Sequence, residues 1–271
     1  MENAGTSMKK LITSAVLLFL VALLSIAGQS RAQDTAVPEV VKKNIEMLQS
    51  GSAKDKIIAA RNLGGMGAEA LPSVQYLIEL LDSTERHKSL LKKILNVVTV
   101  FGNFGPYVSD ECRQSLVRIG KPAVLPLSDA LLNHPRSGVR RNVAVALGEI
   151  ADVESVDSLI AALRTDADYE VRSCSAEALG KMSERWLIDL LGNAVQALIE
   201  ALKSEDPNVR QKAAYALGEL EALDAVPSLI ELLQAYGKES DAGQALKKIT
   251  GQRLGDDPQK WQEWWDKNRP E

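Results

Sequence analysis

The stretch Val139-Arg140-Arg141-Asn142-Val143-Ala144-Val145-Ala146-Leu147-Gly148-Glu149-Ile150 spaces Val, Ala and Leu three and four residues apart. That is the spacing of one face of an α-helix. The same pattern returns without a gap at 171–182 and again at 209–220, giving the shared form V-R-x-x-x-A-x-A-L-G-[EK]-aliphatic. A second element follows each copy, at 155–163, 194–202 and 225–233, and carries Leu-Ile-x-x-Leu. Arg140, Arg172 and Arg210 therefore recur at intervals of roughly 30–40 residues, the period of helical repeats. Small alanines in the first helix let a neighbour approach closely. The glycine after Leu147, Leu179 or Leu217 is expected to end that helix in the left-handed conformation. Pro227 falls near the start of its second helix, where a missing N–H costs nothing. Each pair leaves apolar surface on both sides and is stable only when stacked in a row.

Weaker copies precede the clear ones. One runs from Ile57 to Gly64, followed by Ala70-Leu71-Pro72 and Leu77-Ile78-Glu79-Leu80-Leu81. Another runs from Glu111 to Gly120 and then from Pro122 to Leu132. Between them, within a longer insertion at 83–106, His87 to Phe101 reads as an additional helix closed by Gly102, Gly105 and Pro106. The pattern resembles the HEAT repeats, and the HEAT-like repeats of the bilin-lyase type, over residues 53–250. The resemblance implies an all-α fold, a right-handed α-solenoid of about five to six helix pairs. It says little about function, because one repeat scaffold hosts many unrelated roles. The expected organisation is an N-terminal signal or anchor at 1–32, a linker with a first helix at 33–52, the solenoid at 53–250 and a Trp-rich segment at 251–271. In that last segment Asp257-Pro258 opens a helix with Trp261, Trp264 and Trp265 on one face. Such a tail resembles the closing segment of bacterial HEAT-like proteins, and the aromatics are expected to cap the last repeat.

Composition agrees with packed helices. Aromatics are 4% of 271 residues, so the core must come from Ala, Leu, Ile and Val. The net charge of −4, with bases interleaved among acids, gives no footprint for nucleic acid. At the N-terminus, Lys9-Lys10 precede an apolar run from Leu11 to Ala27, and Ser30-Arg31-Ala32 offers small residues for cleavage. Charge, apolar run and small-x-small form the secretory pattern. The expectation is export to the periplasm or beyond, with the segment either cleaved or kept as an anchor, the chain's only link to a membrane. The true start is Met1 or Met8. Cys112 and Cys174 lie a whole repeat apart, too far for a disulfide, and are expected as thiols.

The residues offer little catalytic chemistry. His87 and His134 are the only histidines, and neither has a carboxylate at metal-ligand spacing. HEAT-like iron hydroxylases are marked by His-Glu pairs, and the chain has no His-Glu dipeptide. Gly64-Gly65-Met66-Gly67 follows a helix, not a strand, and so reads as a turn and not a phosphate loop. Asp168 and Asp206 stand four residues before Arg172 and Arg210. The resemblance to HEAT-like folds implies that with Arg140 they form a hydrogen-bonded ladder along the stack, the alternative being a groove for an anionic ligand. The expected function is a non-catalytic module of the bacterial envelope that binds another protein or a peptide segment, without cofactor or metal. Its contact surface would be the non-stripe positions of the second helices: Gln75, Glu79, Asp129, Asp157, Gln196, Glu200, Ser228 and Glu231. Two alternatives stand beside it. One is a lyase-type enzyme or chromophore-binding protein, as the repeat resemblance implies. The other is a structural spacer that orients envelope proteins.

Overall fold

A computed structural model describes residues 37–84, 107–182 and 188–270. The N-terminal signal-like segment, the 85–106 part of the insertion and His87 lie outside these residues. Thirteen α-helices and no β-strand are found among the described residues, and they stack as a solenoid of helix pairs. A first helix, α1 (Glu39–Ser50), is followed by six pairs: α2 (Ala53–Gly65) with α3 (Val74–Glu79), α4 (Val108–Ile119) with α5 (Val124–Asn133), and α6 (Ser137–Ile150) with α7 (Val156–Thr165). Then come α8 (Tyr169–Lys181) with α9 (Ile188–Ala201), α10 (Pro207–Glu219) with α11 (Val226–Tyr236), and α12 (Ala242–Thr250) with α13 (Pro258–Asn268). The first helices form one row, α2-α4-α6-α8-α10-α12. Contacts between α3, α5, α7 and α9 make the second row, and α13 packs on α11.

Short side chains at the helix starts explain the boundaries. Ser52 and Asp55 form a reciprocal capping box on α2. Asp168, Asp206 and Asp257 each accept backbone N–H bonds at the starts of α8, α10 and α13. Pro207 and Pro258 occupy the first turn, where no N–H is needed.

The glycines of the A-L-G signature do not end their helices. Gly148, Gly180 and Gly218 lie inside α6, α8 and α10 and are buried. The left-handed positions fall instead on Ala151 (φ 53°) and Glu221 (φ 50°). The glycines serve close approach. A Cβ on Gly148 would stand 2.7 Å from Ala178 Cα, one on Gly180 2.7 Å from Ala216 Cα, and one on Gly218 3.1 Å from Ala245 Cα. Gly64 meets Ser115 Cα at 2.9 Å in the same way. In every case the glycine faces the small residue that precedes the leucine of the next copy. At the remaining step Val117 of α4 holds the glycine's position, and α4 and α6 pack less extensively than the other first-row neighbours.

Ion pairs bridge successive first helices. Buried Glu111 accepts from Arg61 at 2.9 Å and from Arg118 at 3.4 Å. Glu177 of α8 holds Lys181 at 3.0 Å and Lys212 of α10 at 2.6 Å. Burial pushes the Glu177 carboxyl up, but the lysine hydrogen bonds outweigh it and hold the group below its ordinary value. A folded value below the unfolded one contributes stability at neutral pH that is lost as pH falls through the folded value. Glu177→Gln is therefore expected to lower the melting temperature at pH 7 and to leave it unchanged at about pH 2. Equal losses at both pH values would refute the pairing.

Candidate functional site

The second helices carry the candidate surface. Gln75 and Glu79 lie on α3, Asp129 on α5, Asp157 on α7, Gln196 and Glu200 on α9, and all are exposed. Ser228 and Glu231 lie on α11, where Glu231 is exposed and Ser228 is half-buried. Several are already engaged. Glu200 accepts from Arg164 Nε at 2.9 Å and from Nη2 at 3.2 Å. Asp129 accepts the Asn133 amide at 2.8 Å. Glu79 accepts from Arg136 at 2.8 Å, and its other oxygen lies 3.5 Å from His134 Nε2.

The Glu79 contacts form an acid–base group that spacing in the sequence hides, since the partners come from different repeats. The Arg136 N–H donates to His134 Nδ1 at 3.2 Å, which leaves Nε2 directed at Glu79. Two further residues of this face, Leu125 and Leu132, are 68% and 49% exposed. They resemble core leucines in a run such as Val124-Leu125-Pro126-Leu127. Only alignment with Gln75, Asp157 and Gln196, the residues that follow the equivalent Val or Ala-Val in other copies, marks Leu125 as outward.

The arginine position does not make a uniform ladder. Each arginine clamps the loop before its own helix. Arg140 Nη1 donates to the His134 and Pro135 carbonyls, Arg172 Nη1 to those of Asp166 and Ala167, and Arg210 Nη1 to those of Ser204 and Glu205. Asp168 and Asp206 are helix caps and do not pair with the arginines that follow them. Asp168 also accepts from Ser137 of the preceding repeat, and that hydrogen bond holds its carboxyl below the ordinary range against the effect of burial. One arginine crosses to the next repeat through a carboxylate: Arg140 grips Asp166 at 2.7 and 2.8 Å. Arg210 instead lies 4.0 Å over the Tyr236 ring. Open clefts of about 200 Å³ and 260 Å³ lie at two of these junctions, between α5 and α7 and between α7 and α9.

Both cysteines are free thiols. Burial, and then the Glu111 charge, push Cys112 up to about 12. Burial also raises Cys174. Thiolate is the reactive form, so an aromatic disulfide reagent at pH 8 is expected to label neither thiol rapidly in the folded chain and both on denaturation. Immediate labelling of the native chain would contradict this burial. At the C-terminus, Trp261 is fully buried and its indole N–H donates to the Gly255 carbonyl at 2.7 Å. Trp264 packs edge-on against it with centroids 6.4 Å apart, and Trp264 and Trp265 are half-buried.

A family model described as HEAT repeats matches residues 105–180 and 156–247, more than half of the chain. The phycocyanobilin lyase subunit alpha of a Picosynechococcus species is 40% identical over 92 residues, covering 31% of each chain. The protein of the same name from a Nostoc species is 38% identical over 121 residues, covering 41% of each. The bilin biosynthesis protein PecE of Mastigocladus laminosus is 31% identical over 91 residues, covering 34% of this chain and 31% of that one. The matched region thus spans less than half the length of these curated relatives. Among solved structures, the complex of CpcE and CpcF of phycocyanin lyase from Nostoc aligns with a TM-score of 0.52 at 19% identity, covering 66% of this chain and 99% of that one. Kap121p aligns with a TM-score of 0.60 at 15% identity, covering 84% of this chain and 26% of that one. At such identities the likeness concerns the fold alone. The curated relatives overturn the expectation of a non-catalytic binding module, because they are lyase subunits.

Proposed function

The chain belongs to the HEAT-repeat family, and from that premise we propose that it is a subunit of a bilin lyase. In this reading it handles a linear tetrapyrrole and works beside a second protein subunit. The observation that carries the reading is the identity of 38–41% to phycocyanobilin lyase alpha subunits over segments of 69–121 residues. The complex of CpcE with CpcF supports a second protein chain as the partner. The face that holds Glu79, His134, Leu125 and Leu132 offers exposed apolar area beside an acid–base pair, which suits both a protein contact and proton transfer. The pattern Lys9-Lys10, Leu11 to Ala27 and Ser30-Arg31-Ala32 supports an exported or tethered location as part of the same proposal, so the acceptor protein would lie on the same side of the membrane.

The test is to purify the chain with a helical-repeat second subunit and mix them with phycocyanobilin and a phycobiliprotein acceptor. The expected result is visible colour that stays with the acceptor through denaturing electrophoresis. The reading falls if the chain, alone and with the second subunit, leaves the absorption spectrum of phycocyanobilin unchanged. Fractionation of the native host tests location separately, with recovery in the membrane or extracytoplasmic fraction as the expected outcome.

A further inference from the structure

We infer that the cleft between α7 and α9 is a binding subsite for a carboxylate group of the tetrapyrrole, with Arg172 and Lys203 as its cations. This rests on the bilin-handling reading. The repeat itself supplies the internal control. Asp166 and Ser204 occupy one position in successive loops: Asp166 Oδ1 accepts the Asp168 N–H at 2.9 Å, and Ser204 Oγ accepts the Asp206 N–H at 3.3 Å. Asp166 also neutralises Arg140 through two hydrogen bonds. At the next junction the serine hydroxyl carries no charge, so Arg172 faces a place from which the carboxylate has been removed. Among the described residues Arg172 has no ion-pair partner and Lys203 has none. The third arginine of the series is covered by Tyr236, which leaves Arg172 as the one position of the three without either device.

The surroundings suit an amphipathic anion. Leu163, Ala197 and Val209 give the cleft of about 260 Å³ an apolar lining, while Arg172, Lys203 and Arg164 line it with charge. Glu200 also lines the cleft, but Arg164 holds its carboxylate through two hydrogen bonds, so these two charges offset each other and Arg172 and Lys203 remain as the net cations. A planar guanidinium with its Nε and Nη2 edge free is the geometry for bidentate carboxylate recognition. A linear tetrapyrrole with propionate side chains combines such a carboxylate with a large apolar body, and inorganic phosphate shares only the charge.

The full chain is titrated with phycocyanobilin, with its dimethyl ester and with inorganic phosphate. Wild type is compared with Arg172→Met and with Ser204→Asp, the latter rebuilding the rung found at Arg140. Ser204→Asp separates loss of the site from loss of the fold, because it removes no contact of Arg172 with its own loop. Wild type is expected to prefer the free acid over the diester by about tenfold or more, and both variants to lose that preference. An undiminished preference in Ser204→Asp would overturn the inference and leave bilin handling standing. Phosphate binding that both variants lose, without any preference for acid over ester, would assign the cleft to free phosphate and overturn the tetrapyrrole assignment. Failure of wild type to bind either bilin form would sink the lyase reading, and the ligand assigned here with it.

Discussion

Gly180→Val is expected to split the solenoid's melting transition. The side chain would enter where a first methyl carbon already stands 2.7 Å from Ala216 Cα and 2.9 Å from its Cβ. Both obstacles belong to an α-helix whose backbone is fixed by its own hydrogen bonds, so relief requires α8 and α10 to separate. Overpacking of a core costs about 1–3 kcal/mol when side chains can give way. Here they cannot, and the loss is expected at about 3 kcal/mol or more. Valine is no worse a helix former than glycine, so propensity does not explain such a loss. Repeat arrays derive their stability from the interfaces between neighbours. Weakening one interior interface therefore uncouples α1–α9 from α10–α13, and calorimetry should show two transitions in place of one. Gly192→Ala is the control, since Gly192 lies inside α9 with nothing within 4 Å of a built Cβ. It should gain about 1 kcal/mol from helix propensity. A single, unshifted transition for Gly180→Val would mean that α8 and α10 do not approach as described.

The same glycines show how far the sequence could be read. The A-L-G signature announces paired helices, and these are present, because periodicity reports which face of a helix is buried. Periodicity does not report what a buried face touches. Gly148, Gly180 and Gly218 stand close enough to a helix end to be read as caps, yet their role depends on Ala178, Ala216 and Ala245 of the following copies. The candidate site follows the same rule. Most of its outward positions were legible as the non-stripe residues of each second helix, but Ser228 is half-buried, and Leu125 and Leu132 are exposed although they read as core. The His134–Glu79 pair and the Arg140–Asp166 grip were not, because both partners come from different repeats and no motif spacing joins them. The difference between Asp166 and Ser204 is visible in the sequence once the loops are aligned, but only the hydrogen bond from Arg140 to Asp166 gives it meaning. Function lay further out of reach, because one repeat scaffold serves many unrelated roles and the repeat pattern reports only the scaffold.

Trp261→Ala is expected to release the C-terminal helix while the interior repeats stay folded. Trp261 is the largest fully buried side chain of the described residues. Truncating a buried tryptophan costs about 3–5 kcal/mol in a core that cannot collapse onto the cavity. The cost falls on one boundary. Helix α13 packs on α11 and is joined to α12 by a loop in which Gly251 (φ 73°) and Gly255 (φ 70°) take left-handed backbone. The indole N–H bond to the Gly255 carbonyl pins that loop, so the variant loses both the packing and the pin. Terminal repeats of an array can detach without unfolding its middle. Limited proteolysis should therefore cut the variant within 251–257 while leaving a core that retains most of its helical signal. Trp261→Phe keeps much of the ring's volume but removes the donor, and should lie between the two, about 1–3 kcal/mol below wild type. Trp265→Ala, which changes a half-buried ring on the same helix, should barely move the melting temperature. If Trp265→Ala destabilised the chain as much as Trp261→Ala, the three tryptophans would act as one packed cluster and not as a single anchor with two outer rings. If neither changed protection of the 251–257 loop, the closing role of this helix would be refuted.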